Sequence, residues 1–296
     1  MACFEASRLL SLCLALLPVL PAVISAAPEP TPALTHHGGR LLTGHLSVGI
    51  VWYGPIPRAQ KKAILSFLRS LKQNETAATD RPQVSSWWNI VESYQTMAKV
   101  PTRGIPNISV KVINQASDPN YSLGKVVIKD FIKQLIPKAT GGNPNALAII
   151  VASKGVTVQD MCAGSCVQHG LIDDQLYVAV GDPEEECPEC AWPFAGTSGV
   201  PLKPPSGDIG ADTMVRLLAG GLAGAITNPF GDGFYAYGHG EQLVEATSKC
   251  SGVLATATVP VDPVSGGSYN SVGDQGTKFL LPAIWDPKTS SCWTPL

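Results

Sequence analysis

Residues 210–250, GADTMVRLLAGGLAGAITNPFGDGFYAYGHGEQLVEATSKC, limit the possible folds more than any other part of the 296-residue chain. Met214, Val215, Leu217, Leu218, Leu222, Ala225 and Ile226 recur at helical spacing with almost no polar face, which predicts a helix over 211–227 buried on most sides. Asn228-Pro229 ends it. Inside that helix Gly220, Gly221 and Gly224 each lose about 1 kcal/mol of helix propensity relative to alanine, so packing must have placed them. Gly220 and Gly224 are four apart and share a face. A second helix or a sheet is expected to approach the backbone there.

The same helix resembles the active-site helix of zincin metallopeptidases with its chemistry removed. Such helices carry His-Glu-x-x-His, because i and i+4 put two zinc ligands on one face and the intervening Glu serves as general base. Here Gly220-Gly221-Leu222-Ala223-Gly224 stands in that place, followed by Ala-Ile-Thr-Asn-Pro and the pair Phe234-Tyr235. The resemblance implies a zincin-like scaffold with a cleft along 220–224 that holds no metal, no cofactor and no catalytic residue. Glu241 and Glu245 follow the helix without an evident partner. The plainer reading is a small-residue packing helix.

The N-terminus narrows the compartment. Arg8 precedes an apolar run that ends in small residues at Ser25, Ala26 and Ala27, the pattern of a signal peptide spanning residues 1–26. Pro18 and Pro21 interrupt that run and argue against an anchor. Removing the leader takes away Glu5 and Arg8, so the net charge stays at −2. No basic block points to nucleic acid or an anionic membrane. Hydrophobic residues make up 45% of the chain and charged ones 15%, enough for one sizeable core.

Cysteine use agrees with export. The mature chain keeps Cys162, Cys166, Cys187, Cys190, Cys250 and Cys292, an even set suited to disulfides in an oxidising compartment. Cys250 with Cys292 is the expected pair, fastening the C-terminal tail to the segment after the glycine helix; the other four then pair among themselves. A zinc site from Cys162, Cys166, Cys187 and Cys190 is the rival reading. Asn74, Asn107 and Asn120 open three sequons and are expected glycosylation sites.

After the leader, residues 27–44 read as an extended linker and 45–296 as one α/β domain. Strand patterns at HLSVGIVWYG, ISVKVINQ and ALAIIVASKGV alternate with helical ones at 58–72, 85–97 and 123–135. The order strand, helix, helix, strand, helix, strand predicts a mixed sheet flanked by helices, with disulfide-stapled loops further on. ISVKVINQ alternates and belongs near a sheet edge; the all-apolar run belongs at the centre.

Taken together, the leader, Trp52-Tyr53-Gly54-Pro55, Ser85-Ser86-Trp87-Trp88, Cys187-Pro188-Glu189-Cys190-Ala191-Trp192-Pro193-Phe194, Thr227-Asn228-Pro229-Phe230-Gly231 and residues 278–287 resemble the plant EXORDIUM, or phosphate-induced protein 1, family. The resemblance covers nearly the whole mature chain. It implies an exported apoplastic or cell-wall protein linked to growth, cell expansion and hormone or nutrient response, and it brings no catalytic residues. A non-catalytic protein is therefore expected, with a cell-wall polysaccharide or a cell-surface protein as partner. Trp192 is the candidate for sugar stacking if the chain binds wall carbohydrate. A metal-dependent hydrolase would have to draw on His169, His239 and the carboxylates of Asp173-Asp174 or Glu184-Glu185-Glu186. Adjacent His36 and His37 read more simply as solvated than as metal ligands.

Overall fold

The computed structural model describes residues 33–296 apart from 73–81, 99–106, 196–199, 239–241 and 256–257. The expected leader lies outside the described residues, as do Asn74, His239 and Glu241. In chain order the elements are β1 (Thr35–His36), β2 (Gly44–Tyr53), α1 (Arg58–Ser70), α2 (Val84–Met97), β3 (Ile108–Asp118), β4 (Val126–Val127), α3 (Lys129–Thr140), β5 (Leu147–Ala152), β6 (Thr157–Val158), β7 (Gln168–Ile172), β8 (Gln175–Gly181) and α4 (Ile209–Thr227). The C-terminal part adds β9 (Phe234–Tyr237), β10 (Leu243–Val244), β11 (Ser271–Val272), β12 (Lys278–Phe279), β13 (Ile284–Asp286) and β14 (Ser291–Trp293).

The main sheet has the order β3-β2-β5-β8-β7, with the first four strands parallel and β7 antiparallel at the edge. It is the mixed, helix-flanked sheet that the alternation of patterns predicts. β5 is buried along its whole length because both of its faces are covered. Ile149 and Val151 join the core under α1, α2 and α4, while Ala148, Ile150 and Ala152 join the core under α3. Trp87 and Trp88 fill the first of these cores and are fully buried. Their indole N–H groups donate to the carbonyls of Pro282 at 2.8 Å and Ile108 at 2.9 Å, which ties α2 to the tail and to β3.

The helix of the opening argument is α4, buried on nearly every side, with Met214, Leu218, Leu222, Ala225 and Ile226 inaccessible to solvent. By length and composition it could cross a bilayer, but its surroundings are the protein core. The Asp208 side chain caps its start by accepting from Ala211 N at 2.8 Å.

The expected linker is extended but not free. Among its described residues, β1 pairs antiparallel with β9, Leu34 and Leu41 are buried, and Leu42 N donates to Ile226 O at the end of α4. Its apolar residues have core to cover, so the folded unit begins earlier than residue 45.

Candidate functional site

The three glycines of α4 are filled in by neighbours rather than opening onto a cleft. A Cβ at Gly221 would lie 2.6 Å from Val178 Cγ1 on β8 and 2.7 Å from Val167 Cγ2 beside β7. One at Gly220 would lie 3.0 Å from Thr247 Oγ1, and one at Gly224 would collide with the imidazole of His169. Sheet strands therefore run alongside this face, as the small-residue pattern requires. The expected cleft along 220–224 does not form among the described residues, because His169 from β7 and Thr247 occupy the space.

His169 is held by Glu245, which the sequence leaves without an evident partner: Nε2 stands 2.7 Å from Glu245 Oε2, and both side chains are largely shielded from solvent. Asn228, the residue that ends α4, donates through Nδ2 to Glu245 Oε1 at 2.8 Å and accepts from Gly233 N through Oδ1. Burial pushes the Glu245 carboxyl up, but the hydrogen bond and charge of His169, followed by the Asn228 bond, outweigh it and hold the group below its ordinary range. His169 Nδ1 is buried without a hydrogen-bond partner among the described residues. The arrangement supplies one imidazole and one carboxylate, already bonded to each other.

Disulfides fix the two strands of chain that meet here. Cys162–Cys187 and Cys166–Cys190 lace the approach to β7 onto the turn after β8. Cys250–Cys292 joins the segment after β10 to β14, the pair expected from the sequence. Trp285 N donates to Ala246 O at 2.8 Å, so Glu245 and Thr247 are carried into place by the C-terminal hairpin. The four cysteines of the zinc alternative are bonded in pairs, not presented as four free thiolates.

The remaining acidic candidates do structural work. Asp173 and Asp174 form the tip of the β7–β8 hairpin with φ of 47° and 61°, the left-handed pair of a two-residue turn. Asp173 also pairs with Lys133 at 2.6 Å. Glu184 pairs with Lys154 and accepts from Gly210 N at 2.8 Å, satisfying an orphan donor at the start of α4. Glu186 accepts from Thr157, and Glu185 pairs with Lys154. Among the described residues these groups are not assembled with His169; His239, the other histidine of the hydrolase constellation, lies outside them.

Trp192 is partly buried, and the Arg216 guanidinium covers its ring at 5.0 Å from the centroid. Burial draws the Arg216 pKa down to about 10. The tryptophan expected to be the most open is thus partly covered, and none of the other five is exposed. His36 and His37 instead stack on Phe234 and Tyr235 of β9, with centroids 4.9 and 3.7 Å apart. Asn107 and Asn120 are exposed.

A family model described as the phosphate-induced protein 1 conserved region matches residues 34–295. The chain belongs to the phosphate-induced protein 1 family. The match opens at Leu34, in agreement with the docked β1 segment. Among its relatives, Protein EXORDIUM-like 1 of Arabidopsis thaliana is 38% identical over 280 residues, covering 88% of this chain and 89% of the relative. Protein PHOSPHATE-INDUCED 1 of Nicotiana tabacum is 37% identical over 282 residues, covering 88% of each. Protein EXORDIUM of Arabidopsis thaliana is 36% identical over 291 residues, covering 91% of each. No solved structure matches.

Proposed function

We propose that this member of the phosphate-induced protein 1 family is an exported, non-catalytic protein of the apoplast or cell wall that acts in growth, cell expansion and hormone or nutrient response. The observation that carries the non-catalytic part is the occupation of the α4 face by His169, Glu245 and Thr247. A zincin-like ancestor would need that face open to water, substrate and metal. With glycine at 220, 221 and 224 the helix offers no ligand and no base at those positions, and the strands close onto them. The export part rests on the leader pattern, on six cysteines joined as three disulfides, and on exposed Asn107 and Asn120 in sequons.

The test is to express the full chain in plant cells and follow the medium and wall fractions. The mature N-terminus is expected near Ala27, with less than stoichiometric zinc and no hydrolysis of unfolded protein substrates. Retention inside the cell would overturn the export reading. Stoichiometric zinc that disappears with His169→Ala would overturn the non-catalytic one.

A second reading is carbohydrate binding, favoured by one surface. Tyr235 and Tyr237 alternate on β9 with ring centroids 5.4 Å apart, and Tyr237 is 58% exposed. His37 already stacks on Tyr235, so Tyr237, in place of Trp192, is the ring this surface offers to a wall polysaccharide. Loss of wall-polysaccharide pull-down in Tyr237→Ala, with parental retention in Trp192→Ala, is the result expected under this reading.

A further inference from the structure

His169 marks one edge of the main sheet, at β7; β3 forms the other. Over β3 a cavity of about 580 Å³ opens between that strand, the C-terminal half of α1, the start of α2 and the turn at Gly273-Asp274. Its volume lies within the roughly 300–1,000 Å³ of small-molecule sites. Leu65 and Leu68 of α1 and Val110 and Val112 of β3 give it an apolar wall. None of its described lining residues is aromatic, so these residues give no platform for stacking sugar rings.

Among the described residues its charges are unbalanced. Arg69 is matched by Asp274, with Nε 2.9 Å from Oδ2. Lys72 and Lys111 also line the cavity and form no ion pair among the described residues. The chain as a whole carries −2, so this excess of positive charge is local. Each lysine has an ordinary duty, Lys72 beyond the C-terminus of α1 and Lys111 guarding an edge strand. Neither duty calls for an apolar cavity between the two. A bare inorganic anion would satisfy the ammonium groups and leave Leu65 and Val112, the two wall residues that are only partly buried, against water.

We propose that this cavity binds a small amphipathic organic anion, with its acidic group held by Lys72 and Lys111 and its apolar body against Leu65, Leu68, Val110 and Val112. The site is separate from the filled face of α4, so it stands whether or not the scaffold descends from a peptidase.

The probe is 8-anilino-1-naphthalenesulfonate, titrated by fluorescence into the folded, secreted full chain, with neutral N-phenyl-1-naphthylamine as the counterpart lacking the acidic group. One saturable site is expected for each probe. In Lys72→Gln/Lys111→Gln the sulfonate should bind at least about fivefold more weakly, while the neutral probe stays within about twofold, as expected for two partly exposed charge contacts. Val112→Trp, which fills the space from the strand side, should displace both probes. Single lysine variants replace the double one if its melting temperature falls below the parent's. Sulfonate binding that ignores the lysines, binding that survives Val112→Trp, or no saturable binding would each overturn the proposal. Full competition by millimolar sodium sulfate, with the neutral probe left unbound, would also overturn it by assigning the site to an inorganic anion.

Discussion

The imidazole of His169 stands where the Cβ of any residue other than glycine at position 224 would have to lie. Glu245 holds the same Nε2 that faces Gly224, at 2.7 Å, so the ring cannot swing away without breaking a shielded, charge-assisted hydrogen bond. The glycine, the histidine and the glutamate are therefore one packing unit.

Gly224→Ala should reverse sign with the residue at 169. Overpacking against His169 costs about 1–3 kcal/mol, which exceeds the gain of about 1 kcal/mol in helix propensity. In a His169→Ala background the collision is gone and only the gain remains. Urea denaturation of the four proteins checks this: destabilisation by Gly224→Ala in the parent and stabilisation by up to about 1 kcal/mol in the His169→Ala protein.

The neighbouring glycines should not behave alike. Gly221 meets Val178 and Val167 at 2.6 and 2.7 Å, both branched and held in the sheet, whereas Gly220 is partly exposed and meets only Thr247 Oγ1 at 3.0 Å. Gly221→Ala is expected to destabilise by about 1–3 kcal/mol. Gly220→Ala should fall within about 1 kcal/mol of the parent, since a small shift of Thr247 and better helix propensity offset each other. Equal melting temperatures for the two variants would contradict this ranking.

Periodicity revealed α4, its burial and the close approach of strands, because apolar spacing and backbone glycines are local signals. The all-apolar 146–152 run announced a central strand for the same reason. The partner of Glu245 was not legible, since His169 lies 76 residues away on an edge strand and nothing local distinguishes that histidine from a solvated one. Asp173-Asp174 carried a findable signal: two turn-forming residues between the apolar runs of β7 and β8 are a hairpin cue. Residues 33–44 read as linker because two-residue β1 is too short to show a period, although Leu34, Leu41 and Leu42 hint at burial.

Asp212, on α4 and only 5% exposed, should make the fold less stable as pH rises through the mildly acid range. Burial raises its pKa from 3.8 to about 6, against the lowering effect of two hydrogen bonds from Ser206. Between those values the folded state holds more proton than the unfolded one, so stability falls as pH increases, by on the order of 3 kcal/mol in all. Asp212→Asn keeps an oxygen to accept from Ser206 and cannot ionise. Its decline in stability between about pH 4 and 6 should be shallower than the parent's, the buried carboxyls of Glu92 and Asp182 supplying what remains.

Removing the Cys250–Cys292 bridge frees a 42-residue separation in the unfolded chain. Chain entropy assigns a loop of that size about 4 kcal/mol. Cys250→Ser/Cys292→Ser should melt lower by a corresponding amount. It should also expose the 245–247 segment, read as faster amide exchange at Ala246 and Thr247 than the other two bridges alone would permit. Parental exchange at both residues would show that the tail hairpin holds Glu245 without the disulfide.

The last test concerns the acid limb of stability, where Glu245 acts in the opposite sense to Asp212. Its carboxyl is held below the ordinary value of 4.5 because His169 and Asn228 together outweigh the effect of burial. A depressed acid contributes stability that is fully present above its unfolded value and is lost as pH falls through the folded one. The parent should therefore weaken progressively below about pH 4.5 as Glu245 takes up a proton and releases His169. Glu245→Gln is less stable at neutral pH but has no proton to gain, so its acid limb should be shallower. If parent and variant lose stability in parallel below pH 4.5, the His169–Glu245 pair is not what secures the sheet against the glycine face of α4, and Val167, Val178 and Thr247 carry that contact alone.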